Sequence, residues 1–173
     1  AANGGVGYAK AAGNYGSQFY PTSLAQKEGY DQIIWTDSKN HKFLEEAGTM
    51  NIFVRIDDTI ITAPTTDTIL DGITRKSLIR IAKDNNIEVE IRPISVDEVI
   101  EAHHNGRLKE IFGSGTAVVI SEISGFGYKG KNYNLKDVEN SYASTLRSII
   151  TKIQYNLTED PYGWTYEVSP VKV

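Results

Sequence analysis

The feature that most constrains the fold is a pair of β-rich segments separated by two adjacent aspartates. Residues 50–56 and 59–62 are rich in β-branched side chains, and Asp57-Asp58 lies between them. Short acidic residues favour tight turns, so this pattern predicts an antiparallel hairpin. Residues 32–36 and 41–45 flank a polar turn and predict a second hairpin upstream. The first third of the chain is therefore expected to be mainly antiparallel.

Helical patterns follow the hairpins. The predicted helices cover residues 21–28, 73–84, 95–104 and 141–155. The third begins with the capping-box pattern Ser95-Val96-Asp97-Glu98. Further strands are predicted at residues 87–91, 110–112 and 117–120, the last two separated by a glycine-rich turn, and residues 125–130 form a loop or hairpin. Hairpins mixed with helices predict an α+β fold, with the helices packed on a curved, largely antiparallel sheet.

Composition excludes several classes of function. The chain has 173 residues, of which 40% are hydrophobic, and this is enough for one domain with a core. A net charge of -4 and scattered basic residues leave no footprint for nucleic acid. No window approaches the roughly 18 apolar residues of a membrane span, so we expect a cytoplasmic protein without membrane or nucleic-acid partners. The absence of cysteine excludes disulfides and a thiol nucleophile. His103 and His104 point in different directions on a helix, so no metal site is expected.

One lysine lies among small residues. Lys10 is flanked on both sides by glycines and alanines, which let a bulky ligand approach the backbone closely. A lysine reacts with an aldehyde only as the neutral amine, a state that burial or a neighbouring cation favours. By itself, however, this composition is more typical of a solvated surface lysine.

Three other motifs carry groups suited to binding. Glu45 and Glu46 alternate on a predicted strand, so one is expected to point inward while the other meets solvent. Residues 72–74 begin a helix, and the N–H groups of a helix start can cradle an anion. Arg75 next to them either supports a phosphate or lies on the helix surface, and we favour the interpretation as a surface residue. The glycine-rich residues 113–117 supply more N–H donors, but they lack the lysine of a P-loop.

In this order and at these separations, the motifs resemble those of the branched-chain amino-acid aminotransferases, which are fold type IV enzymes that use pyridoxal 5'-phosphate (PLP). The matching segments are Lys10-Ala-Ala-Gly-Asn-Tyr15, Glu46-Ala-Gly-Thr-Met-Asn51, Leu70-Asp-Gly-Ile-Thr-Arg75 and Phe112-Gly-Ser-Gly-Thr-Ala117. The resemblance covers about residues 4–120. It implies the larger domain of such an enzyme, with a curved sheet that forms a pseudo-barrel.

The resemblance also implies a role for each matching residue. Lys10 would bind the cofactor covalently and act as general acid and base, Tyr15 would bind the phenolate oxygen, and Glu46 would keep the pyridine nitrogen protonated. Leu70 would pack near the ring. Phosphate contacts would come from Gly72, Ile73, Thr74, Gly115 and Thr116. The substrate carboxylate would be bound by Thr49 and by the N–H group of Ala117.

The implied reaction transfers the amino group of leucine, isoleucine or valine to 2-oxoglutarate. Three alternatives remain open: a D-amino-acid aminotransferase, an aminodeoxychorismate lyase and a non-catalytic fragment. The first two would also use Lys10 and a glutamate. Because nothing in the chain corresponds to the family's smaller amino-terminal domain, residues 1–173 are expected to be one PLP-binding domain of a longer, homo-oligomeric enzyme. The chain alone is expected to be inactive.

Overall fold

A seven-stranded sheet forms the centre of the molecule. The computed structural model describes residues 1–168. The helices are α1 (Gly13–Gly16), α2 (Phe19–Lys27), α3 (Ile73–Asp84), α4 (Val96–His104) and α5 (Tyr142–Gln154). The strands are β1 (Ile34–Thr36), β2 (Leu44–Ala47), β3 (Met50–Ile56), β4 (Thr59–Thr62), β5 (Glu88–Ile91), β6 (Leu108–Gly115), β7 (Val119–Glu122), β8 (Gly125–Tyr128) and β9 (Lys131–Asn134). The last two strands form a separate hairpin.

The central strand β3 organises the sheet. On one side it pairs antiparallel with β6, which in turn pairs with β7. On the other side the start of β3 pairs with β2, while its later residues pair with β4. The sheet therefore divides along this side, with β1 outside β2 and β5 outside β4. The pairing of β4 with β5 is parallel and the other pairings are antiparallel, so the largely antiparallel α+β prediction is confirmed for the described residues.

Alternation along β3 sends its side chains into two separate cores. Phe53 stacks on Phe112 of β6 with their ring centroids 5.0 Å apart, and this pair packs against α3 and α5. Ile52 and Val54 face the opposite side, where they pack against α4. Helices thus cover both faces of the sheet, and the end of β3 that lies beyond these cores remains available for a site.

A buried ion pair joins β3 and β6 to the start of α5. Arg55 Nη1 donates to Glu110 Oε2 at 2.8 Å, and the guanidinium carbon lies 3.5 Å from the ring centroid of Tyr142. Glu110 also accepts hydrogen bonds from the Ser141 hydroxyl and from the N–H groups of Tyr142 and Ala143. Burial alone would raise the pKa of Glu110, but Arg55 and these donors hold it below its ordinary value. The carboxylate therefore caps α5 and neutralises the buried arginine.

Most predicted elements are confirmed, with small differences at their ends. β3 and β4 have the predicted bounds, and their hairpin turns at the aspartates. α4 begins after Ser95, whose hydroxyl accepts a hydrogen bond from the N–H group of Glu98 at 3.1 Å. α2 begins at Phe19, two residues before the predicted Pro21. Residues 125–134 form the β8–β9 hairpin.

The glycine-rich segment was predicted wrongly as a turn between short strands. β6 continues through Gly115, so Gly113 and Ser114 are strand residues. Pairing on both edges, with β3 and β7, holds this segment extended despite its glycines. The turn lies at residues 116–118 instead.

Candidate active site

Three chain segments meet at one end of the sheet. β3 begins at Met50 and β6 ends at Gly115, and the two strands are antiparallel, with Asn51 opposite Ser114. The turn before β3 and the turn after β6 therefore lie at the same edge. The segment before α3 reaches this edge too, because Asn51 Nδ2 donates to the carbonyl oxygen of Leu70 at 2.8 Å.

A cavity of about 460 Å³ adjoins this edge. Its walls come from the residues on either side of Lys10, from β1 and β2, and from the residues before α3. Among the site residues expected from the sequence, the structure brings three together here, namely Tyr15, Glu46 and Leu70.

Glu46 is the titratable group whose environment is most unusual for its type. Its side chain lies on β2 between Trp35 of β1 and Asn51 of β3, which are its cross-strand neighbours. Burial raises the pKa of Glu46 to about 7, although the nearby Leu70 N–H group acts to lower it. A carboxyl that titrates near neutral pH can share a proton with a weakly basic nitrogen, which is a property of functional sites.

The expectation that one of the two adjacent glutamates meets solvent is wrong. Glu45 is half-buried and lines the same cavity as Glu46. Its Oε1 accepts a hydrogen bond from the Thr68 hydroxyl at 2.7 Å. The physical reason is that the segment before α3 folds against β2 and covers the side chain that strand alternation would expose.

The start of α3 presents unpaired N–H groups. Its N-cap residue, Gly72, has no side chain that could cap the helix. The first backbone hydrogen bond of the helix runs from the Lys76 N–H group to the Gly72 carbonyl oxygen, at 3.0 Å. The N–H groups of the first helical turn, at residues 73–75, therefore have no acceptor within the helix. Such a helix start favours an anion.

Two buried side-chain donors lie in the same region. Arg75 is 4% exposed, so its interpretation as a surface residue is wrong. It donates from Nη2 to the Ala63 carbonyl at 2.8 Å, and burial lowers its pKa while Asp71 partly offsets this. Arg75 Nε and the hydroxyl of the buried Ser114 have no hydrogen-bond partner among the described residues. Buried polar atoms without partners are costly, which points to a ligand that would satisfy them.

The lysine-bearing segment is anchored to the residues before α3. A Cβ atom at Gly7 would lie 2.6 Å from the Thr68 carbonyl oxygen, so only glycine permits this approach. Asn14 closes the segment into a loop, because its Nδ2 donates to the carbonyl oxygens of Val6 and Ala9. Lys10 itself is exposed and does not line the cavity.

Other expected site residues do not line the cavity. Thr49 is exposed in the turn before β3, and Thr116 and Ala117 are exposed in the turn after β6. The Ile73 side chain is 71% exposed, whereas Thr74 is buried. Apart from the buried Thr74, these residues therefore lie on an open surface at this end of the sheet and not in a closed pocket.

Sequence reasoning missed the structural importance of Asn51, Ser114 and Thr68. In the sequence, Asn51 is only the last residue of the motif that begins at Glu46, yet its side chain links β3 to Leu70. A polar residue at the start of the otherwise apolar run Ile52-Phe53-Val54 was the available signal. Ser114 and Thr68 carried no comparable signal, because serine and threonine are common in strands and loops.

Membrane-spanning helices and metal clusters are both absent from the described part of the chain. Among residues 1–168, no helix has both the length and the apolar character needed to cross a lipid bilayer. The same residues contain no group of three or more side chains of the types that usually ligate metal ions.

Comparison with known proteins places these motifs in context. Residues 6–126 match the family described as amino-transferase class IV. A probable branched-chain-amino-acid aminotransferase from Staphylococcus epidermidis is 42% identical over 169 residues, which are 97% of this chain and 47% of that protein. The chain thus spans about half the length of the relative it matches.

Solved structures give the same relationship. The branched-chain amino acid aminotransferase from Escherichia coli has a TM-score of 0.78 and 28% sequence identity, covering 95% of this chain and 52% of that chain. The branched-chain aminotransferase from the archaeon Thermoproteus uzoniensis, solved with norvaline, has a TM-score of 0.70 and 27% identity. It covers 85% of this chain and 45% of that chain.

Proposed function

Because this chain belongs to the class IV aminotransferases, we propose that it is the PLP-binding part of a branched-chain amino-acid aminotransferase. The observation that carries the proposal is the cavity in which Tyr15, Glu46 and Leu70 meet. The similarity to proteins of that name over 97% of the chain supports the substrate class. The complete enzyme would transfer the amino group of leucine, isoleucine or valine to 2-oxoglutarate.

The residues at this edge of the sheet fit PLP. A pyridine nitrogen that must stay protonated needs a carboxyl beside it, and Glu46 has a pKa of about 7. A phosphate needs donors, and the uncapped start of α3 and the unpartnered Ser114 hydroxyl supply them. The sheet that carries Glu46 is joined to the segment before α3 by the hydrogen bond from Asn51 Nδ2 to the Leu70 carbonyl oxygen.

We assign the remaining residues by the resemblance of their motifs to those of the family. Tyr15 and Leu70 would flank the ring, and Thr49 and the Ala117 N–H group would hold the substrate carboxylate. The phosphate would be surrounded by Gly72, Ile73, Thr74, Gly115 and Thr116.

When bound, PLP supplies an electron sink for the electron pair released when the bond from Cα to hydrogen breaks. Lys10, as the neutral amine, would take the proton from Cα and deliver it further along the conjugated system. Glu46 would hold a proton at the pyridine nitrogen, and Tyr15 would donate a hydrogen bond to the phenolate oxygen. The contacts around the phosphate would orient the ring so that Lys10 meets Cα on one face.

The whole reaction would need more of the protein than this chain. The chain spans 47% of the relative, so the other half would supply further pocket walls and a cation for the phosphate. α2 has no buried residue, and its Phe19 and Tyr20 side chains are 71% and 74% exposed. We infer that another domain or a second copy covers this apolar surface in a homo-oligomer.

The covalent role of Lys10 can be tested by peptide mapping. The chain is incubated with PLP, reduced with borohydride, digested and analysed by mass spectrometry. We expect the pyridoxyl group on Lys10 and no labelling of the variant Lys10→Gln. Lys76 is the matched control, because it is exposed and lies in the first turns of α3 near the same edge. Labelling of Lys76 in preference to Lys10 would contradict the proposed site.

The roles of the two glutamates, Glu45 and Glu46, can be separated by measuring activity in this chain fused to the part of a relative that it does not cover. Glu46→Gln should lower transamination of leucine and 2-oxoglutarate by about tenfold to a hundredfold, because one charged hydrogen bond is lost. Glu45→Gln should change it much less. Equal effects would remove the distinction between the two residues. Faster turnover of D-amino acids, or cleavage of aminodeoxychorismate, would identify a different member of the family.

A further inference from the structure

The peptide groups on either side of Leu70 contact two neighbouring residues of the sheet. The Leu70 carbonyl oxygen accepts a hydrogen bond from Asn51 Nδ2 at 2.8 Å, and the Leu70 N–H group faces the Glu46 carboxyl and acts to lower its pKa. Glu46 and Asn51 are direct cross-strand partners on β2 and β3. Since a carbonyl oxygen only accepts hydrogen bonds, the amide nitrogen of Asn51 must be the atom that faces it.

The same contacts reach the start of α3. The Gly72 N–H group also donates to the Leu70 carbonyl oxygen, at 2.9 Å, and Gly72 is the N-cap of α3. A side chain at Gly72 would overlap Asn51 Oδ1, so Asn51 lies tightly against the helix start. Asn51 is 6% exposed, which leaves its amide little contact with water. Leu70 is therefore the link between a carboxyl on the sheet and the unpaired N–H groups of α3.

We propose that Asn51 is a positioning residue that, by holding Leu70, sets the location of the Glu46 carboxyl relative to the first turn of α3. The inference rests on the proposed function, in which these two groups would bind opposite ends of one rigid cofactor. A rigid ligand with two anchored ends requires a defined separation between its binding groups, and small displacements are costly.

The identity of the side chain supports this role. An apolar residue at position 51 would suit the pattern of β3, whose next three residues, Ile52-Phe53-Val54, are buried hydrophobics. Burying an amide costs free energy unless its hydrogen bonds are made. In Asn51 the bond is made to a residue 19 positions away rather than within the sheet. The amide therefore serves the attachment of Leu70 and not the pairing of β3.

The test uses the 173-residue chain without cofactor, so that its outcome is independent of transamination. NMR follows the Glu46 carboxyl as a function of pH, together with the amide signals of Gly72 and Ile73. In Asn51→Ala, Leu70 should be released, and its N–H group should then lower the pKa of Glu46 less. The midpoint of the Glu46 titration should then rise by about one pH unit, and the two amide signals should shift.

Thr62→Val is the matched control. The Thr62 hydroxyl donates to the Ile52 carbonyl oxygen at 2.8 Å and is as buried as Asn51, but it does not contact Leu70. This variant loses a comparable hydrogen bond from the same sheet, so it reports general loosening. It should leave the Glu46 midpoint and the amide signals of Gly72 and Ile73 unchanged.

A second variant keeps the test decisive if Asn51→Ala does not fold. In Asn51→Asp the introduced carboxyl has nearly the size of the amide, and only its protonated form can donate to Leu70. The Gly72 and Ile73 signals should be native-like at acidic pH and should shift when the introduced carboxyl ionises. The Asn51→Ala result for Glu46 and this reversible shift both support the proposal.

Two results of the NMR titrations would overturn it. One is an unchanged Glu46 midpoint in a folded Asn51→Ala chain, and the other is an equal change in Thr62→Val. PLP is titrated in parallel into the chain extended by the part of a relative that it does not cover. If PLP does not bind to this extended chain while Asn51→Ala still moves the Glu46 midpoint, the proposed function fails and the positioning role stands. If PLP binds equally well to wild type and Asn51→Ala, the positioning role fails.

Discussion

Replacing Glu46 by Gln should stabilise the chain in the absence of cofactor at neutral and alkaline pH. Burial is the main reason that the pKa of Glu46 rises from 4.5 to about 7. A carboxyl with a raised pKa keeps its proton in the folded state at pH values where the unfolded chain has already released it. Between pH 4.5 and 7 the folded state therefore binds more protons, so the free energy of unfolding falls as the pH rises.

The size of the effect follows from the two pKa values. A displacement from 4.5 to about 7, at about 1.4 kcal/mol for each pH unit, costs the folded state roughly 3.5 kcal/mol above pH 7. This is an upper value, because Glu46 is half-buried and water screens part of its charge. Gln has nearly the same volume and keeps an oxygen that can accept the Leu70 hydrogen bond. The substitution therefore removes the ionisation with little other change.

The assay is urea unfolding followed by tryptophan fluorescence at several pH values between about 5 and 8, which bracket the raised pKa. Trp35 is the cross-strand neighbour of Glu46 and lines the same cavity, so it reports on this part of the sheet. The wild type and Glu46→Gln should have similar stability near the acidic end of this range and diverge progressively as the pH rises. Glu45→Gln, which changes the neighbouring carboxyl, should keep the wild-type slope.

Parallel stability curves for the wild type and Glu46→Gln would refute this reasoning, because they would show that Glu46 ionises normally. Loss of the wild-type slope in Glu45→Gln would show that Glu45, and not Glu46, is the perturbed carboxyl. The expected result has a functional meaning as well. A residue that destabilises the protein that carries it is typical of an active site, where activity and stability compete.

Two further predictions concern the fold. Glu110→Gln should lower the free energy of unfolding by about 3–5 kcal/mol at pH 7, because it removes the buried counterion of Arg55 and leaves only the exposed Asp58 carboxylate at 3.4 Å. Since the pKa of Glu110 is lowered, its contribution in the wild type should fade as the pH falls below about 4.5. Urea unfolding at neutral and at acidic pH measures both, and a loss at neutral pH no larger than that of an exposed pair such as Arg80→Gln would contradict the prediction. Leu78→Ala, at a position with no solvent exposure, should cost about 2–5 kcal/mol; the half-buried Ile79 on the same helix is the control, and an equal cost for Ile79→Ala would show that α3 is not seated as described.

Local chemistry was enough to predict most elements. The apolar residues of β3 and β4 with two aspartates between them specify a hairpin, because the turn and both strands lie within 13 residues of one another. The Ser95 cap of α4 and the apolar stripe of α3 depend on residues three or four positions apart. These interactions form within a single element or turn, so their signals remain readable in the sequence.

The arrangement of the site was decided by tertiary structure. Gly113 and Ser114 favour a turn locally, but pairing with β3 and β7 makes them strand residues. Glu45 alternates away from Glu46 along the strand, yet Thr68 covers it. The links from Leu70 to Asn51 and Glu46 join residues about 20 positions apart that no periodicity connects. The sequence by itself determined which groups are available, whereas their depth and partners depend on contacts that exist only after distant segments have packed together.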